Sequence, residues 1–88
     1  MTKAVTGLEF PCRYPIKVMA ATGPQVRDQV LAVVAAHAEF SAAEDVRCRP
    51  SRNGRFESIT VTVQIESRAR LEALYADLGR LDAVKMML

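Results

Sequence analysis

Eighty-eight residues, half of them apolar, make one domain whose core needs neither metal nor disulfides, and they leave no room for a cleft between two domains. A formal charge of +2 is too small to announce nucleic acid or a membrane surface, so the distribution of charge matters more than its sum. The N-terminal MTKAVTGLEF has no apolar run of signal-peptide length, and the longest apolar run, Val30 to Ala36, is far short of a bilayer span; a soluble, cytoplasmic protein is expected.

Residues 1–7 are small and polar and read as a loose terminus to a single domain covering 1–88. Leu8 to Cys12 offers Leu8 and Phe10 to an edge of the fold and is stopped by Pro11. Tyr14 to Ala20 is the first strand, with Ile16, Val18 and Ala20 inward and Lys17 and Met19 outward; Pro15 sits where no ladder hydrogen bond is required. Thr22 with Gln25 has the spacing of a capping box, and Pro24 is tolerated in a first helical turn, which predicts a helix from about Pro24 to His37. Val26, Val30, Val33 and Val34 share one face of it.

Residues 39–45 connect to a short strand, Val46 to Pro50, with Arg47 and Arg49 outward. Arginine and proline are what natural edge strands use against further pairing. Asn53-Gly54 then predicts a hairpin, because both residues tolerate positive φ. The strand that follows, Phe56 to Glu66, alternates most regularly of all: Ile59, Val61, Val63 and Ile65 face one way, Thr60, Thr62, Gln64 and Glu66 the other. Ser67 caps a second helix, Arg68 to Leu78, with Leu71, Leu74, Tyr75 and Leu78 as its apolar stripe and Gly79 as its stop. Ala83 to Leu88 is the last strand, with Val84, Met86 and Leu88 inward and Lys85 and Met87 outward.

The order is βαββαβ. Each helix has one apolar stripe and each strand one apolar face, so both helices pack on the same side of the sheet. Right-handed crossovers then give an α+β, ferredoxin-like sandwich with an antiparallel four-stranded sheet in the order 4-1-3-2.

That fold hosts many functions, so function has to come from particular residues. The open sheet face is expected to show Lys17, Met19, Arg47, Arg49, Thr60, Thr62, Gln64, Lys85 and Met87, a basic surface with two methionines that would suit a partner protein. The competing reading is an ordinary solvated face. Four arginines in nine residues, Arg47, Arg49, Arg52 and Arg55, offer an alternative in which the hairpin holds phosphate or nucleic acid. The face lacks the aromatics on which RNA-binding domains of this topology stack bases, Phe56 being the only candidate near it, which disfavours nucleic acid.

Cys12 and Cys48 lack the spacing of a zinc or redox pair and are read as reduced thiols. His37, the single histidine, stands near a helix C-terminus, where the helix dipole gives it a structural role. Glu44, Asp45 and Glu57 have no partner evident in the sequence. With no metal set, nucleophile elbow or glycine-rich phosphate loop, neither an enzyme nor a cofactor or metal site is expected.

Several short motifs recur here in a distinctive order: Phe10-Pro11 followed by YPIKVMA at Tyr14 to Ala20, His37, Pro50-Ser51, Gly54 with Phe56 and Ser58, and LYADLGRLDAVKMML to the end. With them the chain resembles the YbeD family of small bacterial proteins of uncharacterised function. The resemblance implies a fold similar to ACT regulatory domains, which bind small effectors, often amino acids, and usually work as dimers. ACT domains carry an acid and a Pro-Gly pair after the first strand; here that stretch is Thr22-Gly23-Pro24, without the acid and with the pair reversed. In relatives the gene often lies beside that of the octanoyl transferase of lipoate synthesis.

The expectation is therefore a non-catalytic, ACT-like regulatory or adaptor module. Its partner would be a protein, either itself or a metabolic enzyme, or a small carboxylate effector received at Ala21, Thr22 and Gly23, where loop amides meet a helix N-terminus.

Overall fold

A computed structural model describes residues 9–87. The expectations for residues 1–8 and for Leu88 lie outside the described residues. Four strands and two helices follow one another as β1 (Cys12–Ala21), α1 (Val26–His37), β2 (Val46–Pro50), β3 (Phe56–Ile65), α2 (Arg68–Gly79) and β4 (Val84–Met87). The sheet is antiparallel in the order β2-β3-β1-β4, so the four-stranded ferredoxin-like architecture is the one the alternation implies.

β3 is central because it is the chain's longest run of β-branched residues with strict alternation. Ile59, Val61, Val63 and Ile65 are fully buried and stand opposite Val18, Ile16, Tyr14 and Cys12 of β1. Val30 and Val34 of α1 and Leu71, Leu74 and Leu78 of α2 close the core from one side. Pro15 is accommodated as its missing donor requires. It pairs with Thr62, whose N–H is turned away to Asp45 O on the β2 side, so Pro15 N faces the other flank, where β4 covers only Val18 to Ala20.

Four local expectations need correction. α1 has no side-chain cap. Its N-cap is Gln25 in a helical conformation, with Val26 N–H on Gly23 O, while Thr22 is held in the loop by its own N–H bond to Arg55 O. Gly79 is the last residue of α2 rather than a left-handed stop; the helix closes at Arg80, whose N–H reaches Asp77 O and Leu78 O. In the hairpin only Gly54 takes positive φ, at 77°. Asn53 instead lends its side chain, with Oδ1 accepting from the Arg55 amide and the Ser51 hydroxyl.

The fourth correction changes which residues face outward. Val84 pairs with Ala20, Met86 with Met19 and Met87 with Val18, so Lys85 is an extra residue in a bulge. One inserted residue reverses the alternation beyond it. Met87 therefore packs on the core, 3.6 Å from where a Cβ on Gly79 would lie, and Met86 is 53% exposed on the open face. Lys85 folds back, its Nζ donating to Asp82 O at 3.1 Å.

Candidate functional site

A cleft of about 610 Å³ opens where the N-terminal end of α1 overhangs β2 and β3. The β1–α1 loop supplies Thr22, Gly23 and Pro24, the first turn of α1 supplies Arg27 and Asp28, and the sheet supplies Cys48, Pro50 and Glu57. Ala21 is not part of this lining. The loop is there because β1 must turn sharply into a helix packed across the sheet, and Gly23 allows the close approach: a Cβ on it would meet Val26 Cγ2 at 3.1 Å.

Backbone donors are less available than the sequence implies. The Ala21 amide is spent on Ala83 O at 2.8 Å and the Thr22 amide on Arg55 O at 2.9 Å. These bonds tie the loop to the turn before β4 and to the β2–β3 hairpin. The chemistry of the cleft lies instead in side chains.

Glu57 is the residue that sequence reasoning missed. It continues the inward row of β3, between Ala20 on β1 and Pro50 on β2, at a position where every other member is apolar. It is 8% exposed, the only charged residue that is buried among the described residues. Its Oε1 lies 3.4 Å from Nη2 of Arg27, whose side chain is half-exposed at the mouth of the cleft. The alternation counted from Phe56 marks Glu57 as inward-facing, and that was the available signal. A buried carboxylate with one long ion pair keeps unused accepting capacity, since each carboxylate oxygen can take more than one donor.

Cys48 completes the wall. Burial pushes its thiol up, only partly offset by the nearby Arg27 guanidinium, with Glu57 adding to the rise. A thiol held protonated is a poor nucleophile.

A second concavity, of about 500 Å³, lies on the open sheet face among Lys17, Arg47, Arg49, Ser58, Thr60 and Cys48. Strand register sets out two rows across it: Arg47, Thr60 and Lys17 in one, Arg49, Ser58 and Met19 in the other, the latter continued by Met86. Of the outward residues expected, Lys17, Met19, Arg47, Arg49, Thr60 and Thr62 fall on this face, whereas Met87 and the Lys85 ammonium do not. Arg52 and Arg55 stand in the exposed hairpin turn, outside the lining of the basin.

Asp45 and Asp77 also have partners. Asp45 pairs with Arg13 at 2.8 Å and accepts the Ser41 amide at 2.8 Å; the Ser41 bond first, then Arg13, holds its carboxyl below the usual value of 3.8. His37 Nε2 lies 2.7 Å from Asp77 Oδ2, joining the end of α1 to α2. The partner of His37 is thus a carboxylate on α2.

Residues 6–88 match the family model described as a protein of unknown function, DUF493. A UPF0250 protein of Yersinia pestis is 40% identical over 99% of this chain and 98% of its own, and one of Hahella chejuensis is 36% identical over 98% of this chain and 94% of its own. Among solved structures, protein HP0495 of H. pylori superposes with a TM-score of 0.69 at 18% identity, covering 92% of this chain and 85% of its own. The ACT domain of GTP pyrophosphokinase from Chlorobium tepidum gives the same TM-score at 10% identity, over 88% and 83%. These two share the fold. On the match to its model and on the identity to its members, this chain belongs to the DUF493 family of UPF0250 proteins, in keeping with the resemblance to YbeD.

Proposed function

We propose that this protein is a cytoplasmic, non-catalytic, ACT-like module that takes a small zwitterionic carboxylate, of the amino-acid class, in the cleft beside α1. The observation that carries this reading is the buried Glu57 carboxylate facing that cleft with Arg27 as its single ion-pair partner. An ammonium group would find Glu57, and a carboxylate would find Arg27 at the mouth, reinforced by the positive end of the helix. The protonated Cys48 thiol supports binding over covalent chemistry. Fold likeness to the ACT domain of GTP pyrophosphokinase adds an analogy at the level of architecture.

An amide chemical-shift titration against the proteinogenic amino acids and their deaminated acids tests this reading. Shifts grouped at residues 22–28, 48–50 and 57, lost in Glu57→Gln for the amino acids, are expected. No perturbation of the cleft by any of these compounds at millimolar concentration overturns the zwitterion reading. A response equal for amino acids and their deaminated forms removes Glu57 from the recognition.

A further inference from the structure

We infer that the open sheet face is a docking surface for an extended, acidic segment of a partner protein that ends in apolar residues. The inference is independent of the cleft, which opens elsewhere, toward α1. Its first support is charge. Lys17, Arg47 and Arg49 line one basin with no carboxylate among them, and none of the three has an ion-pair partner among the described residues. At the other end of the same face, by contrast, Arg13 is neutralised by Asp45 at 2.8 Å. The uncompensated charge is therefore local, and an anionic occupant is what complements it.

Spacing selects the form of the occupant. Arg47 and Arg49 are alternate residues of one strand, about 7 Å apart, and Lys17 stands two strands over from Arg47, about 10 Å away. An extended peptide laid across the strands from the arginine pair covers the about 10 Å to Lys17 in about three residues and reaches β4 about one or two residues later. Ser58 and Thr60, between the cations, supply hydroxyl donors to carboxylate oxygens.

The apolar end follows from the bulge in β4. Because Lys85 is the extra residue, Met86 is turned outward beside Met19, in the row that begins with Arg49. Met86 is the one large hydrophobic residue strongly exposed among the described residues. A polarizable, adaptable pair of thioethers at the far end of the row that begins with Arg49 fits leucine-like side chains. Nucleic acid is less well served: no aromatic lines the basin, and Phe56, the face's only one on β3, is half-buried at its margin beside Ala21.

The test is fluorescence anisotropy on the full chain with a labelled peptide carrying glutamates followed by leucines. The controls are its glutamine version, its serine version and a labelled oligouridylate. Binding of the parent peptide is expected to weaken as salt rises and to fall about tenfold or more in Arg47→Ala/Arg49→Ala. Met86→Ser is expected to weaken that peptide severalfold and to leave the serine version unchanged. Arg27→Ala, in the cleft, is expected to leave binding intact, which separates this surface from the effector site. All these positions are exposed, and thermal melts of the variants serve as the check that they fold. Absence of binding at low salt overturns the proposal, as does indifference to the arginine pair. Tighter binding of oligouridylate, insensitive to Met86, replaces the peptide with nucleic acid.

Discussion

Glu57, on the core face of β3, is 3.4 Å from Arg27, in the first turn of α1, so one ion pair links the inside of the sandwich to the mouth of its cleft. The two partners are unequal: Glu57 is nearly buried and Arg27 half-exposed. Removing Arg27 leaves a carboxylate short of water and without a counter-ion, whereas removing the charge at Glu57 leaves a guanidinium free to solvate. Arg27→Ala is therefore expected to cost about 1–2 kcal/mol in urea unfolding, and Glu57→Gln less. The double variant should recover most of the Arg27→Ala loss. If Glu57→Gln proves the more damaging, the pair is not what holds that carboxylate in place.

The two helix starts make a contrast that sequence spacing hides. Ser67 caps α2, its Oγ accepting from the Arg70 amide at 3.1 Å, whereas Thr22 makes no such bond to α1. Ser67→Ala is expected to lower stability by about 1 kcal/mol. Thr22→Ala should stay within about 0.5 kcal/mol of the parent, the behaviour of a surface position. Equal losses in thermal unfolding would mean that Thr22 does cap α1 in solution.

Most of the architecture was legible because period-two alternation in β1 and β3 and the leucine stripe of α2 are local patterns that burial preserves. Two misreadings arose where a group distant in sequence decided the outcome. Thr22 had cap chemistry, but Arg55 O, across the hairpin, claimed its amide. Glu57 carried no sign of a partner because Arg27 is thirty residues away in sequence. Its inward position was nevertheless readable from the alternation of β3. At the open face, Lys17, Arg47 and Arg49 followed directly from side-chain parity.

Parity failed in β4, and the failure is itself testable. The bulge at Lys85 turns Met87 onto the core and Met86 to solvent. Met87→Ser is expected to destabilise the domain by about 1–3 kcal/mol through lost apolar burial. Met86→Ser should change stability by no more than about 0.5 kcal/mol. The reverse order would restore the uninterrupted alternation and remove the bulge.

Acid stability should depend on Asp45. The Ser41 amide and the Arg13 guanidinium hold its folded-state carboxyl below the unfolded value of 3.8, so between the two values the unfolded chain binds the proton first. Its contribution is complete above the unfolded value, where the carboxylate is charged in both states, and is lost as pH falls through the lower, folded value. Asp45→Asn is expected to melt at a lower temperature than the parent at pH 7. The gap should narrow only once pH drops below 3.8, and close when the native carboxylate is protonated too. A gap that is constant from pH 7 to pH 2 would show that Asp45 acts through its neutral hydrogen bonds, and that its charge on Arg13 contributes nothing to the fold.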